Sequence, residues 1–216
     1  MDLQAEKIII TAIFKNFPSH NILSEEKGAI NKNSEYTWVI DPLDGTVNYS
    51  HSLPFFSVAI CLVKKETPIM SIIFNPCENI LYSAIKGKGA YANNKKVSVN
   101  KQNDLKKSLV VSHLSSNKII RQRLIRKINK IFPHILQFYC GSYACLTATD
   151  VTSGKLDGYF EIKTNPWDIL PEALLVQEAG GKVTQIDGKK ITINSTSILA
   201  TNGKIHNKML KLLKGI

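Results

Sequence analysis

Four short apolar runs between residues 55 and 100 constrain the fold of this chain more than any other feature. The runs are "FFSVAICLV", "IMSIIFN", "ILYSAIKG" and "AYANNKKVSVN", and turn signals such as "KKETP", "NPCEN", "GKG" and "NN" punctuate them. Connections this short can join antiparallel neighbours, whereas a parallel pair needs a crossover of a dozen or more residues. The sequence therefore predicts an antiparallel meander, entered from an earlier strand, "YTWVI", at residues 36–40.

The rest of the chain divides around this meander. An amphipathic helix is predicted at residues 3–16, with Asp2 as its N-cap. Beyond a polar connector at residues 101–107, predicted strands alternate with predicted helices, which is typical of an α/β arrangement. The strands are predicted at 108–112, at 135–139 and in "LDGYFEI", "GKVTQI", "KKITIN" and "SILAT", and the helices at 117–132, 144–153 and 166–179. We expect an N-terminal α+β subdomain at residues 1–104 and a C-terminal α/β subdomain at residues 105–216.

The net charge of +11 raises the question of a nucleic-acid partner. All three arginines lie in "NKIIRQRLIRKINKIF", whose apolar residues form one helical stripe, and the other 25 basic residues are lysine. A solvated helix face is the favoured interpretation, because bidentate phosphate and base contacts favour arginine. The four cysteines form no CxxC pair and are expected to be buried free thiols. No apolar run approaches the roughly 20 residues that span a bilayer, so we expect a cytoplasmic protein without membrane contact.

The segment "WVIDPLDGTVNY" places two carboxylates, Asp41 and Asp44, directly after a predicted buried strand. Pro42 prevents the strand from continuing as a helix, and Gly45 permits a tight turn or the close approach of a ligand. If a helix begins near Thr46, its first amides form an anion site beside the two acids. One loop would then offer carboxylates to hard cations and amides to a phosphate. An aspartate-capped turn explains the same residues equally well.

Two further acidic segments strengthen the first interpretation. "ILSEEKG" places Glu25 and Glu26 after an apolar piece, where a solvated loop is the commoner interpretation. "TNPWDILPEALLVQEAGG" places Asp168 in the first turn of a predicted helix, where it could simply stabilise the helix dipole. Neither segment is diagnostic alone, but their joint occurrence with "DPLDGT" indicates a metal-dependent site.

These segments together resemble a known family. "SEE", "WVIDPLDGTVNY" and "PWDILPEALLVQEAGG", in this order and spacing, are similar to the three signatures of the inositol monophosphatase family of magnesium-dependent, lithium-sensitive phosphatases. The resemblance extends to "GKGAYANNKKVSV" and "TSGKLDGYFEI" and covers nearly the whole chain. It implies a fold of the α+β / α/β class, a layered αβαβα sandwich of the inositol monophosphatase and fructose-1,6-bisphosphatase type. Members usually carry further helices before the position of Asp2, so we expect those first helices to be missing here.

The resemblance also implies a role for individual residues. Two to three Mg²⁺ ions would be held by Glu25, Asp41, the Leu43 carbonyl, Asp44 and Asp168, with Asp41 bridging two of them and Glu26 contributing through water. The amides of Gly45 and Thr46 would receive the phosphate. Asp2 and the Thr46 hydroxyl would orient the attacking water. The polyol half of the substrate would lie against Gly141, Ser142, Ala144 and Glu161.

Several residues depart from the family pattern or fall outside it. Pro171 interrupts the predicted helix after Asp168 and should kink it. Tyr143 stands where a small residue is commoner and should reshape the polyol pocket. His51 and His113 are expected in surface or loop positions rather than at the metals.

The favoured function is hydrolysis of inositol monophosphate or a similar sugar or polyol phosphate by a metal-activated water, in a homodimer. Fructose-1,6-bisphosphatase-type activity is the alternative within the enzyme class. A catalytically weakened binding protein that contacts RNA or a transcription complex is the alternative outside it, and it would use the basic surface.

Overall fold

A computed structural model of the protein describes residues 2–141 and 143–214 of the 216-residue chain. It contains two β-sheets and three layers of helix. None of the helices within these residues is long and apolar enough to cross a membrane.

The first sheet has eight strands in the order β2-β1-β3-β4-β5-β6-β7-β8. Their bounds are Asn21–Ser24 (β1), Gly28–Ile30 (β2), Tyr36–Asp44 (β3), Ser57–Lys64 (β4), Thr67–Asn75 (β5), Ile80–Ile85 (β6), Gly89–Ala92 (β7) and Lys95–Val97 (β8). From β3 onward every strand pairs antiparallel with the next, which confirms the predicted meander. Asn93 and Asn94 divide the last apolar run into two strands, because both adopt positive φ angles in a tight turn.

The second sheet has five strands in the order β10-β9-β11-β13-β12. Their bounds are Leu109–His113 (β9), Gln137–Gly141 (β10), Gly158–Glu161 (β11), Lys182–Thr184 (β12) and Ile198–Thr201 (β13). The strands β10, β9 and β11 are parallel, so their carboxyl ends meet at one edge of the sheet. This edge faces the candidate site described below.

Within the described residues, six α-helices pack on the two sheets. Their bounds are Asp2–Asn16 (α1), Thr46–Ser50 (α2), Lys118–Ile131 (α3), Ala144–Thr152 (α4), Pro166–Glu178 (α5) and His206–Leu213 (α6), and short 3₁₀ turns cover Leu105–Lys107 and Phe132–His134. The helix α5 remains one element through Pro171, whose carbonyl accepts a hydrogen bond of 2.8 Å from the Ser71 hydroxyl. The sequence interpretation did not include α6, although Met209 and Leu213 occur at helical spacing and are buried.

The hydrophobic clusters establish the order of the layers. α1 covers the outer side of the first sheet, where Ile10 and Ile13 pack against Trp38 and Ile40. α4 and α5 lie between the sheets, since Leu174 and Leu175 pack on the first sheet while Ala173 and Val176 pack on the second. α3 and α6 cover the far side of the second sheet. The resulting α-β-α-β-α sandwich confirms the predicted fold class. The division at residues 104 and 105 remains a prediction.

The strand prediction for "KKITIN" is wrong. Residues 189–192 have no regular secondary structure and residues 193–194 form a turn, around which the Thr192 amide donates to the Ser195 hydroxyl and the Ser195 amide donates back to the Thr192 carbonyl. Ile191 and Ile193 still point into the core, where they pack beside Val39 and Leu170. The alternation of apolar and polar residues in this segment therefore reflects the packing of its isoleucines against the core and not pairing with another strand.

Candidate metal centre

The end of β3 is shaped so that two carboxylates occupy adjacent sites. Asp41 lies opposite Ala59 and Asp44 lies opposite Ser57, so β3 has one residue more than β4 between these pairs. The extra residue makes a β-bulge, and Pro42 within it has no amide hydrogen for the ladder. The bulge turns both acidic side chains out of the regular alternation of the strand. Both are buried.

Gly45 makes the turn from β3 into α2. Its φ angle is 85°, and a Cβ atom at this position would lie 2.5 Å from the Phe55 carbonyl oxygen. Both conditions require glycine. α2 then begins at Thr46, which fulfils the condition set for an anion site, and the Thr46 hydroxyl donates a hydrogen bond of 3.1 Å to the Leu43 carbonyl. The amides of Gly45 and Thr46 therefore lie directly beside the bulge that carries the two aspartates.

Asp41 is at the centre of the acidic cluster. It is 2% exposed, and its Oδ1 accepts a hydrogen bond of 3.0 Å from the Leu43 amide. Burial raises the pKa of Asp41 well above its usual value, and the carboxylates of Asp44, Asp168 and Glu25 raise it further. The shift means that the ionised form is costly unless a positive charge lies nearby.

Asp44 is held by three donors. The amides of Ala144 and Cys145 donate to its two oxygens at 3.2 and 3.0 Å, and the Ser57 hydroxyl donates at 3.2 Å. Burial raises the pKa of Asp44 to about 6, although His113 and these donors lower it in part. The start of α4 thus fixes the position of Asp44. The Ala144 amide hydrogen is engaged in this bond.

Asp168 and Glu25 enter from two other elements. Asp168 is the third residue of α5 and forms a capping box with Asn165, while its Oδ2 accepts a hydrogen bond of 2.6 Å from the Thr164 hydroxyl. Burial raises its pKa to about 7, and Glu161 adds to the shift. Glu25 follows β1, and its amide donates to the Ile40 carbonyl at 3.3 Å. Its pKa is raised by burial and by Glu26 and Asp44, while a hydrogen bond with Asp41 lowers it.

The donor set fits a hard divalent cation. Burial raises the pKa values of all four carboxyl groups, and neighbouring carboxylates add to the shifts of Asp41, Asp168 and Glu25, so a cation at this place would offset both costs. Cys145 was not predicted to belong here, yet its sulfur lies within 4.8 Å of oxygens of Asp41 and Asp44. Burial and the carboxylates raise the pKa of its thiol well above the usual value, and sulfur is a soft ligand that magnesium does not favour. The remaining oxygen donors are those that magnesium prefers.

Glu6 is a supporting residue that the sequence interpretation missed. It is fully buried, and its Oε1 accepts hydrogen bonds from the Ser24 hydroxyl at 2.5 Å and the Lys27 amide at 3.0 Å. These contacts tie α1 to the segment that carries Glu25. Asp2 begins the same helix, and its charge contributes to the raised pKa of Glu25. An acid at a buried helical position was the signal that could have identified Glu6.

The residues predicted for the alcohol half of a substrate line the edge of the second sheet. Glu161 ends β11, Gly141 ends β10 and Ala144 begins α4, whereas Ser142 lies outside the described residues. Tyr143 stacks on Phe55 with ring centroids 5.0 Å apart. The Tyr143 ring therefore occupies space beside the residues predicted to bind the alcohol.

Two other expectations from the sequence are wrong. His113 was expected in a surface or loop position, but it ends β9 and its side chain is 9% exposed, because Glu161 and Thr147 bind it. Cys77 and Cys140 are exposed and not buried, while Cys61 and Cys145 are buried as expected.

Comparisons with known proteins agree with this geometry. The sequence profile of the inositol monophosphatase family matches residues 1–216. An inositol-1-monophosphatase of Synechocystis is 35% identical over 220 residues, which cover 98% of this chain and 75% of that protein. A putative Nus factor SuhB of Neisseria meningitidis serogroup B is 34% identical, covering 99% of this chain and 82% of that protein.

Solved structures show the same fold. The extragenic suppressor protein suhB of Bartonella henselae superposes with a TM-score of 0.93 at 30% identity, covering 100% of this chain and 84% of that one. The inositol monophosphatase of Anabaena superposes with a TM-score of 0.91 at 34% identity, covering 100% and 86%. The signatures, the five-layered sandwich and the acidic centre thus have one explanation, which is that this chain belongs to the inositol monophosphatase family.

Proposed function

We propose that this protein is a magnesium-dependent phosphatase that hydrolyses inositol monophosphate or a similar sugar or polyol phosphate. The observation that carries the proposal is the convergence of Glu25, Asp41, Asp44 and Asp168 beside the Gly45 turn. A phosphate monoester with bound cations needs carboxylates for the cations and amides for the phosphoryl oxygens in the same place. Family membership supports a phosphatase, and the choice of substrate and of magnesium is our inference.

Glu25, Asp41, the Leu43 carbonyl, Asp44 and Asp168 would hold two Mg²⁺ ions, and Glu25 with Glu26 would help to hold a third. Such ions supply charge neutralisation at the phosphoryl group and acidify a bound water. Asp41 would contact two of these ions, which fits a buried carboxylate whose pKa is raised by burial and by Asp44, Asp168 and Glu25. The raised pKa values of Asp44 and Asp168 fit sites whose ionised form requires a cation.

The chain's own groups would then position the reactants. The amides of Gly45 and Thr46 donate hydrogen bonds to the phosphoryl oxygens. The Thr46 hydroxyl already donates its proton to the Leu43 carbonyl, so its oxygen remains an acceptor for a hydrogen of the attacking water. Asp2 orients the same water from α1. Gly141, Ser142, Ala144 and Glu161 receive the departing alcohol.

Phosphate release from inositol 1-phosphate tests the proposal. We expect release that requires Mg²⁺, that lithium inhibits, and that falls at least about a hundredfold when Asp41 and Asp44 are both changed to Ala. Asp187→Asn is the matched control, since this carboxylate is exposed and paired with Lys189 at 2.9 Å. Full activity of the Asp41→Ala, Asp44→Ala protein would refute the mechanism. Faster release from fructose 1,6-bisphosphate would assign the runner-up substrate.

A second candidate is an RNA- or transcription-associated binding protein, favoured by the resemblance to proteins called Nus factor SuhB. α3 carries six basic residues and no acid. Salt-sensitive RNA binding by a protein that releases no phosphate from either substrate would favour this candidate over the phosphatase. A homodimer and a cytoplasmic location remain proposals that rest on the family resemblance.

A further inference from the structure

Three neighbouring strand ends form one row at the edge of the second sheet. Gly141 pairs in register with His113, and Phe160 pairs with Ser112, so Glu161 follows beside His113. The outer two members of the row, Gly141 and Glu161, were predicted to contact the substrate alcohol. His113 lies between them, in a position to which no role has been assigned.

His113 binds one particular oxygen of Glu161. Its Nδ1 lies 2.9 Å from Glu161 Oε1, and the Tyr159 hydroxyl donates to the same Oε1. Within the described part of the chain, Oε2 has no hydrogen-bond partner. A cavity of about 230 Å³ opens at this place, and Glu161, Lys163 and Asn165 are among the residues that line it. Oε2 is therefore the oxygen that can accept a hydrogen bond from a hydroxyl group of a ligand.

The second ring nitrogen fixes the orientation of the imidazole. His113 Nε2 lies 3.1 Å from the Thr147 hydroxyl, which donates its own proton to the Tyr143 carbonyl at 2.9 Å. The Thr147 oxygen thus contacts both Nε2 and the Tyr143 carbonyl, and the contact at Nε2 fixes that side of the ring. Together with the contact of Nδ1 to Glu161 Oε1, it holds the imidazole beside the Glu161 side chain, and the two residues form one hydrogen-bonded pair. The aromatic rings of Tyr143 and Tyr159, at 6.0 and 5.1 Å, enclose the pair.

We propose that His113 is a positioning residue that holds Oε1 of Glu161 so that Oε2 receives a hydroxyl of a polyhydroxylated leaving group. The inference rests on the proposed function, because it concerns how the phosphatase selects its alcohol. Without His113, Glu161 keeps only the Tyr159 donor and can rotate about its terminal torsion, whose energy minima are broad. The loss should then be specific to substrates that present a hydroxyl to Glu161.

The test compares two substrates in one set of variants. Inositol 1-phosphate offers hydroxyl groups to Glu161, whereas p-nitrophenyl phosphate has an aryl leaving group that offers none. For His113→Ala, we expect the ratio of kcat/KM for inositol 1-phosphate to kcat/KM for p-nitrophenyl phosphate to fall about tenfold, mainly through KM of the polyol ester. His113→Asn places an amide donor near the position of Nδ1 and should recover part of the ratio. His134→Asn is the matched control, because this histidine is exposed in a distant turn.

A coupled variant separates positioning from a general structural role. In a Glu161→Ala background, His113→Ala should not change the ratio further, since the group that it positions is gone. An unchanged ratio for His113→Ala alone, or an equal loss for both substrates, would overturn the inference. So would a further fall of the ratio in the Glu161→Ala background. If the unmodified protein hydrolyses neither substrate, the proposed function itself fails and the inference fails with it.

Discussion

At the residue scale, the sequence identifies the acids that carry the chemistry but not the residues that hold them. Asp41, Asp44 and Asp168 stand beside proline, glycine or a helix start, and these neighbours give them a local signal. His113 and Cys145 have no such neighbours, and Glu6 has only its place on the buried side of α1, because each acts on a partner far away in the chain. His113 reaches Glu161 across 48 residues, and Glu6 reaches Ser24 across 18. Only the paired strands and packed helices bring these partners together.

Glu172 provides a residue-scale prediction. It lies in α5, one turn beyond Asp168, is fully buried, and has its pKa raised well above the usual value by burial and by Glu161 and Asp168. Since the folded state favours the protonated form, stability from this group is present at low pH and is lost as the pH rises above the usual glutamate pKa. Glu172→Gln should therefore raise Tm at pH 8 by a few degrees and change it little at pH 4.5.

Differential scanning calorimetry at the two pH values measures this effect. Glu66→Gln is the control, because Glu66 is exposed on the turn that joins β4 and β5. A lower Tm for Glu172→Gln at pH 8 would show that the carboxylate is ionised and stabilised in the fold.

At the element scale, sequence patterns predict elements best where the turn chemistry agrees with the apolar period. The meander from β4 to β8 has both. "KKITIN" alternates apolar and polar residues but does not pair with another strand. The Thr192–Ser195 turn satisfies backbone hydrogen bonds locally, while Ile191 and Ile193 pack into the core. The bulge in β3 could be suspected from Pro42 alone, but its effect on Asp41 and Asp44 requires the register with β4.

The contact between α1 and the segment after β1 supports an element-scale prediction. Glu6 accepts hydrogen bonds from Ser24 and Lys27, on either side of Glu25, so it should set the position of that metal ligand. Glu6→Ala removes both acceptor contacts and should raise the Mg²⁺ concentration for half-maximal phosphate release about tenfold, in the range found for residues that orient metal ligands. Glu6→Gln keeps an acceptor oxygen and should have a smaller effect.

Mg²⁺ titrations of activity decide the matter, with circular dichroism to confirm that each variant folds. Lys7→Ala is the control, since its side chain is exposed on the same helix. An unchanged Mg²⁺ requirement for Glu6→Ala would mean that other contacts position Glu25.

At the scale of the whole molecule, the five layers explain why the acidic centre lies inside the protein, where burial makes ionised carboxylates unfavourable. β3 belongs to the first sheet, while α4 and α5 lie between the sheets, so their junction brings Asp41, Asp44 and Asp168 together inside the protein. The order of strands in each sheet and the interposed helices do not follow from any local pattern. For this reason the family resemblance predicted the fold class while strand-by-strand reasoning gave only its pieces.

This arrangement predicts that metal binding and pH act together on global stability. Without metal, the folded-state pKa values of about 6 for Asp44 and about 7 for Asp168 exceed the usual 3.8, so the folded state holds protons that the unfolded state has released. The stability from these groups is complete below about pH 4 and is lost as the pH rises through 6 and 7. A cation replaces the protons, so Mg²⁺ should raise Tm more at pH 8 than at pH 5.5.

At a Mg²⁺ concentration one hundred times its Kd, binding contributes about 2.7 kcal/mol to the free energy of unfolding, which raises Tm by roughly 5–10 °C for a chain of this size. Thermal unfolding with Mg²⁺ and with EDTA, compared at each pH and at equal ionic strength, cancels the opposing effect of His206, whose pKa is lowered to about 4. An equal Mg²⁺ shift at both pH values would show that the ion does not bind the carboxylates of the buried centre.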